Sequence, residues 1–253
     1  MKNFRVFILI LSGFLLVSCA TTGDLEDIDV PLADDAFKLY ENSQTALRAG
    51  NYRSAIEYLE KLDSLYPFGP YSHQAQLSLI FAYYKSSDTA SAVSAADRFI
   101  RQNPNHPDVD YAYYMKGLTN FNAEVGFFRD MLSAGLHERD AESARKAFAD
   151  FAELVRKFPN SQYAKDARQR MIFLRNRLAD YELHVANYYM KRQAYIAAAN
   201  RARYVVENYP KTTAVPDALV VMATAYDILN LKELATKARN TLLLNYPERA
   251  KQL

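Results

Sequence analysis

Apolar residues recur with a helical period over most of the chain after residue 36. In one clear example, Ala55, Ile56, Leu59, Leu62 and Leu65 fall on one face of a helix. Strand-like alternation is hard to find, and glycine is scarce, with seven in 253 residues. The pattern predicts an all-α protein.

Five amphipathic segments end in the same way: a proline follows the last apolar residues of each segment. These prolines are Pro67, Pro104, Pro159, Pro210 and Pro247. Proline cannot continue a helix, so each one marks a helix stop. The residue twelve positions earlier is alanine every time, at 55, 92, 147, 198 and 235. A small residue there lets the second helix of a pair approach the first closely.

This spacing matches the tetratricopeptide repeat, a helix–turn–helix unit of about 34 residues. Small residues in the first helices agree in part, at Gly117, Ala186 and Ala223. The prolines are 37, 55, 51 and 37 residues apart, so two repeats are enlarged. We expect a superhelical array of about five helix pairs with one concave face. The third repeat should carry an insert at 124–144, and a long helix, roughly 162–179, should precede the fourth and run into the next helix.

The first residues have the pattern of a secretory signal. Lys2 and Arg5 precede an apolar run at 6–17, whose twelve residues are too few for a membrane-spanning helix of about 20. Leu16-Val17-Ser18-Cys19 resembles the lipobox of bacterial lipoproteins. That resemblance implies a covalent lipid on Cys19, and Ala20 after it implies the outer membrane, facing the periplasm. The alternative is an ordinary signal peptide with an incidental cysteine.

The charge of the mature chain is close to balanced. The formal net charge of +2 includes Lys2 and Arg5, so removal of residues 1–18 brings it to about zero. Nothing in this composition indicates nucleic-acid binding. Residues 20–36 contain six acidic residues and no Lys or Arg, which is typical of a tether between the lipid and the folded body.

These observations divide the chain into five predicted parts. They are the signal peptide (1–18), the acidic flexible tether (19–33), the N-terminal repeats (34–123), the C-terminal repeats (181–253) and, between the two sets of repeats, residues 124–180. The part at 124–180 should hold the insert, the second helix of the third repeat and the long connecting helix.

Motifs for catalysis or metal binding were not found. The histidines, His73, His106, His137 and His184, lie in different repeats and form no metal-spaced pair. Cys19 is the only cysteine, so neither a thiol nucleophile nor an internal disulfide is expected. We therefore expect a binding protein and not an enzyme, with no metal and no cofactor beyond the lipid. A cell-wall-acting helical enzyme stays open as an alternative, but it would need an essential acidic residue buried in a cleft.

The register of the repeats predicts which side chains face the concave groove. In such repeats the first helix of each pair lines the groove, at its second, fifth, ninth, twelfth and thirteenth positions. The groove is then aromatic with a few cations and suits an extended peptide with aromatic side chains and a free carboxylate. Alternatively, the tether folds back over it. The predicted groove residues are Phe37, Tyr40, Gln44 and Arg48, then Gln74, Leu77, Phe81, Tyr84 and Lys85, then Tyr111, Tyr114, Phe121 and Asn122.

Cations mark the other end of the chain. They are Arg201, Arg203 and Lys211 around the fourth repeat, and Lys232, Lys237 and Arg239 in the fifth. This end is interpreted as a protein-docking face, with a solvated surface as the alternative.

The whole chain resembles the BamD family, the tetratricopeptide lipoproteins of the machinery that assembles β-barrels into the outer membrane. The resemblance rests on the lipobox at Cys19, on 51–85 with its YPFGPY corner, on GFFRD at 126–130, and on 143–167 and 199–210. The carboxy-terminal LLLNYPERAKQL matches least well.

This resemblance implies a five-repeat lipoprotein at the inner leaflet of the outer membrane, working with accessory lipoproteins of the same complex. It implies that the carboxy-terminal repeats bind the POTRA region of the barrel-forming subunit, with Arg201 as the candidate contact. It also implies that the amino-terminal groove receives the terminal signal of unfolded barrel substrates. A different repeat lipoprotein, for pilus assembly or envelope division, is the remaining alternative.

Overall fold

The computed structural model describes residues 32–130 and 141–251, which fold into helices joined by short turns. No strand occurs within these two ranges, and the all-α prediction is confirmed. The helices are α1 (Leu32–Arg48), α2 (Tyr52–Leu65), α3 (Ser72–Lys85), α4 (Thr89–Gln102), α5 (Val109–Asp130), α6 (Glu142–Lys157), α7 (Ala164–Lys191), α8 (Tyr195–Asn208), α9 (Val215–Ile228), α10 (Lys232–Asn245) and α11 (Pro247–Ala250).

Consecutive helices pack against each other along the whole array, which gives five pairs from α1/α2 to α9/α10. The first helices of neighbouring pairs also contact one another, as α3 does with α5, α5 with α7 and α7 with α9. Among the described helices, the second helices of neighbouring pairs make at most marginal contact. The first helices therefore lie on the inner side of the curve, and the predicted tetratricopeptide-like array is confirmed.

The small residues lie where the two helices of a pair meet. The alanines twelve residues before each proline, at 55, 92, 147, 198 and 235, have no exposed surface. Gly117 of α5 faces the ring of Phe151 on α6, and a Cβ added there would lie 2.7 Å from two ring carbons. The close approach that the repeat pattern predicted is therefore present.

Each second helix ends two residues before its proline. The residue that precedes the proline leaves the helical conformation, with φ between −123° and −139°, because the proline ring disfavours a helical residue before it. Its N–H still donates to the carbonyl four residues earlier, which satisfies one of the last helical acceptors. These residues are Tyr66, Asn103, Phe158, Tyr209 and Tyr246.

The turn inside a repeat is the same in four of the five pairs. One residue takes a positive φ, at Gly50, Ser87, Gln193 and Asn230, and the next N–H donates five residues back, as in a Schellman motif. In the third pair this place is occupied by the predicted insert. Its first part, from residue 124, continues α5 as far as Asp130, and residues 131–140 lie outside the described ranges.

The long helix predicted before the fourth repeat is one continuous helix of 28 residues, α7, which also serves as the first helix of that repeat. One cluster of buried side chains ends at Leu178 and a second begins at Ala179, so α7 belongs to both. The predicted divisions at 123/124 and 180/181 consequently fall inside α5 and α7.

The N-terminal predictions lie largely beyond the described ranges. The signal peptide, Cys19 and the tether up to residue 31 are outside them, while α1 already begins at Leu32. Asp34 and Asp35 stand in the first turn of α1, where their charge favours the helix N-terminus. Within the described ranges, no helix combines the length and the apolar character that crossing a membrane requires.

Candidate binding groove and docking face

Six of the predicted groove residues line one open cavity between α1, α3 and α5, with a volume of about 510 Å³. They are Gln44, Arg48, Gln74, Leu77, Phe81 and Tyr111. α3 packs against α5, but α1 makes no substantial contact with α3. The space between α1 and α3 is therefore open. These six side chains therefore lie together around one opening.

The cavity joins an apolar floor to a charged rim. Leu77 is buried and Phe81 and Tyr111 are partly buried, whereas Arg48 and Gln74 are exposed. Arg48 Nη2 donates to Thr45 Oγ1 on its own helix, at 3.1 Å, and within the described ranges its guanidinium is in no ion pair. Arginine carries five N–H donors, and Arg48 is exposed at the cavity, so donors other than the one bonded to Thr45 remain for a ligand. The arrangement can bury an aromatic or aliphatic side chain while it binds a carboxylate next to it.

Lys85 and Tyr84 extend the surface at the end of α3. The Lys85 ammonium lies 5.6 Å from the ring centre of Tyr52 and 6.0 Å from that of Phe81, so it adds a second cation beside the aromatic floor. The Tyr84 hydroxyl accepts a hydrogen bond of 2.5 Å from the Asn122 amide, which joins α3 to α5.

Phe37 and Tyr40 lie apart from the cavity lining. Tyr40 stacks on Tyr71 with ring centres 4.8 Å apart, and Phe37 lies 6.2 Å from the same ring. Burial raises the pKa of Tyr40, with a further contribution from Tyr71. These residues hold the start of α1 against the YPFGPY corner, and Phe37 keeps about half of its surface exposed.

Tyr114 and Phe121 are engaged with α7. Tyr114 stacks on Tyr163 at 4.7 Å and donates from its hydroxyl to Asp166 Oδ2 at 2.8 Å. Burial, followed by this hydrogen bond, raises the pKa of Tyr114 to about 12, so the hydroxyl remains a donor. The Arg170 guanidinium lies 4.7 Å from the ring centre of Phe121. Both residues therefore stabilise the contact between α5 of the third repeat and α7 of the fourth.

Sequence reasoning missed four residues of the cavity lining: Leu47 on α1 and Ser78 on α3, which are next to predicted positions, and Asp108 and Tyr163 in the loops between repeats. The two loop residues share a position. Each is the fourth residue after its repeat-ending proline, and Tyr71 stands at the same position after Pro67. This shared position can be recognised in the sequence. The groove residues, however, were predicted only from positions within the first helix of each pair. Asp108 gives the rim a negative charge and Arg48 a positive one.

The candidate docking residue Arg201 lies on α8. Its Nη1 donates to Glu182 Oε2 on α7 at 2.9 Å, and about half of its side chain remains exposed. Among the other cations of this end, Arg203 pairs with Glu207 on its own helix at 3.8 Å, and Arg239 pairs with Asp227. Lys211, Lys232 and Lys237 are exposed.

The fold and the groove together define a class of protein: a tetratricopeptide-like helical array with an aromatic, cation-bearing groove on its inner face. A family model described as outer membrane lipoprotein, YfiO, matches residues 32–242. The chain belongs to this family. Its relatives named BamD support the same assignment.

Three relatives illustrate the match, and each is named outer membrane protein assembly factor BamD. The protein of Vibrio cholerae is 42% identical over 93% of this chain and 97% of its own length. That of Neisseria meningitidis serogroup B is 40% identical over 96% of this chain and 92% of its own. That of Xylella fastidiosa is 40% identical over 85% of this chain and 75% of its own length. The resemblance noted in the sequence is thereby confirmed.

Proposed function

We propose that this protein is a non-enzymatic, lipid-anchored scaffold that helps to assemble β-barrel proteins into the outer membrane. Its relatives are named assembly factors, which favours this role over pilus assembly or envelope division. The observation that carries the mechanism is the cavity of about 510 Å³ between α1, α3 and α5. It combines an apolar floor with an arginine outside any ion pair within the described ranges.

The ligand of this groove is the terminal signal of an unfolded barrel protein. Such a segment ends in a carboxylate and commonly carries an aromatic side chain close to it. Arg48 would bind the carboxylate by charge-assisted hydrogen bonds, and Leu77, Phe81 and Tyr111 would bury the ring. Volumes of this size are typical of sites that enclose a small ligand or a few side chains.

The partner of the opposite end is the POTRA region of the barrel-forming subunit, and Arg201 is the candidate contact. Its half-exposed guanidinium is the kind of group that anchors protein interfaces. A lipid on Cys19, with the tether, would hold the array at the periplasmic side of the outer membrane beside that subunit and its accessory lipoproteins.

Co-purification tests the role in assembly. The tagged, full-length protein is extracted from outer membranes in mild detergent, and its main stoichiometric partner is identified by mass. We expect a large barrel protein with POTRA repeats. A pilus or division component in its place would contradict the assembly role and leave the fold untouched.

Peptide binding tests the groove separately. Arg48→Ala and Phe81→Ala should each weaken binding of a fluorescent barrel-terminal peptide by about tenfold, as expected for loss of an arginine or aromatic anchor. Tyr84→Ala should have a smaller effect, because its hydroxyl is bonded to Asn122. Arg53→Ala is the matched control, since Arg53 is an exposed arginine paired with Glu57 on α2. Equal affinities of the Arg48 and Arg53 variants would rule out the proposed carboxylate contact.

A further inference from the structure

The cavity between α1, α3 and α5 carries opposite charges on its two sides. Arg48 lines it from the end of α1, whereas Asp108 lines it from the residue before α5, beyond α3 in the order of the array. Within the described ranges, the one ionic partner of the Asp108 carboxylate is His106 at 3.9 Å, which carries a charge only when it is protonated. Both charges therefore remain available to a single ligand that lies across α3.

The backbone around Asp108 holds this residue in a fixed place. Its N–H donates to His106 Nδ1 at 3.1 Å, and its carbonyl accepts from the Tyr111 N–H at 3.1 Å, at the start of α5. His106 in turn packs edge-to-face against the buried Phe99, with ring centres 5.3 Å apart. The Asp108 side chain is nevertheless 64% exposed, so a ligand can reach the carboxylate. A carboxylate on a fixed backbone loses little freedom when it binds a cation.

Aromatic rings lie on the same side of the cavity as Asp108. Tyr111 and Tyr163 both line it, with ring centres 5.8 Å apart, and Tyr163 stacks on Tyr114 at 4.7 Å. Burial chiefly, followed by the negative charges of Asp110 and Asp108, raises the pKa of Tyr163. This side of the cavity therefore has a negative potential next to tyrosine rings. Aromatic rings and a carboxylate together are the groups that bind an ammonium or a guanidinium group.

We propose that Asp108 is a specificity-determining residue of the groove: it binds a lysine or arginine side chain of the same peptide whose terminal carboxylate binds Arg48. The proposal rests on the proposed function of the groove. It also gives the bound peptide a direction. The carboxy terminus lies at α1, and the preceding residues cross α3 towards α5 and the start of α7.

The separation of the two charges limits where the basic residue can stand in the peptide. Packed helices are about 8–10 Å apart, so a peptide that crosses from α1 over α3 to α5 spans roughly 15–20 Å. An extended chain advances about 3.3 Å per residue, and the side chains at both ends cover part of the distance. The basic side chain is therefore expected about three to five residues before the terminal one.

A comparison of lysine and glutamine peptides tests this selection. Fluorescence anisotropy measures the affinity of short synthetic peptides that end in phenylalanine and carry lysine or glutamine at each upstream position in turn. The full-length, detergent-solubilised protein is compared with Asp108→Asn at about pH 8, where histidine side chains are ordinarily neutral. At the matching position the wild type should prefer lysine by about fivefold, the upper range for an exposed ion pair. This preference should disappear in Asp108→Asn, as a double-mutant cycle between protein and peptide would show.

Charge reversal gives a readout that a structural role of Asp108 would not change. Asp108→Lys should prefer glutamate to lysine at the same peptide position. The wild-type preference for lysine should also shrink as salt is added, because exposed charges are screened. Glu57→Gln is the matched control, since Glu57 is an exposed carboxylate that pairs with Arg53 on α2, outside the cavity lining. This variant should keep the wild-type preference.

The outcomes separate this inference from the proposed function of the groove. If Arg48→Ala binds every peptide as tightly as the wild type, the carboxylate contact is wrong and the role of Asp108 is wrong with it. If Arg48→Ala weakens binding but Asp108→Asn affects lysine and glutamine peptides equally at every position, Arg48 binds the terminus without selection by Asp108. Only this inference is then overturned.

Discussion

Small side chains at fixed positions allow the two helices of each repeat to come into contact. Gly117 is the extreme case, because the ring of the fully buried Phe151 occupies the space that a Cβ would need. These positions could be predicted from the sequence, since the requirement for a small residue is local and recurs with each repeat.

Replacement of Gly117 by alanine should therefore destabilise the protein, by about 1–3 kcal/mol, the usual cost of overpacking a core. The intrinsic helix preference of alanine, worth roughly 1 kcal/mol, offsets part of this cost. Chemical denaturation followed by circular dichroism measures the difference. Gly126→Ala on the same helix is the control, because its new Cβ would have no neighbour within 4 Å and should stabilise the protein. Equal stabilisation by both variants would contradict the close contact between Gly117 and the Phe151 ring.

Single residues outside the repeat rule were harder to predict. Arg201 was singled out among the cations of its end only through family resemblance, and nothing in the local pattern pairs it with Glu182, nineteen positions away. Asp108 and Tyr163 reach the cavity from loops, where helical register gives no direction. These contacts depend on how neighbouring helix pairs are rotated, which is a tertiary property.

At the scale of the helices, the turns inside the repeats have a shared requirement for one residue with positive φ. Glycine meets it in the first repeat, whereas Gln193 takes φ of 60° in the fourth and Asn230 takes 58° in the fifth. The left-handed region is unfavourable for a residue with an ordinary Cβ, although asparagine tolerates it better.

Gln193→Gly should accordingly raise the free energy of unfolding by about 0.5–1 kcal/mol, after allowance for the larger entropy of glycine in the unfolded chain. Asn230→Gly should gain less, and this comparison controls for the general effect of adding glycine. Thermal or urea unfolding of both variants provides the measurement. A loss of stability in Gln193→Gly would mean that its side chain contributes more than the strain costs.

The contact between α5 and α7 should respond to acid through Asp166. Burial alone would raise the pKa of this carboxyl, but hydrogen bonds from Arg170 and Tyr114 outweigh it and lower the pKa. A lowered folded-state pKa means that the stabilisation is present above the unfolded pKa of about 3.9 and is lost as the pH falls through the folded value. Asp166→Asn should therefore cost stability at pH 7 and progressively less below about pH 4.

Urea unfolding of the wild type and Asp166→Asn at a series of pH values checks this dependence. Tyr114→Phe removes one of the two donors, so it should raise the pKa of Asp166 measured by carboxyl NMR titration. A constant stability difference between pH 7 and pH 3 would show that the Asp166 charge does not stabilise this contact.

At the scale of the whole molecule, the five helix pairs and the long helix α7 of the described ranges could be predicted, because proline stops and small residues repeat along the sequence. The opening between α1 and α3 could not be predicted from the sequence. It depends on the separation of two helices that each pack mainly against other helices. The same is true of the division of the core. Two of its clusters meet within α7, which contributes Leu174 and Leu178 to one and Ala179 and Ala186 to the other.

Because one continuous helix carries buried residues of both clusters, we expect the helices from α3 to α9 to unfold as one cooperative unit. Leu174→Ala, at a fully buried site of the first cluster, should lower the free energy of unfolding by about 2–5 kcal/mol. Hydrogen exchange should show the loss of protection in α8 and α9 as well as in α3 to α6. The same substitution at fully buried Leu242, near the end of the array, should mainly affect its neighbours, since terminal repeats can open alone. If Leu174→Ala leaves protection in α8 and α9 at the wild-type level, the two clusters unfold independently, and α7 connects the groove to the docking face without coupling their stabilities.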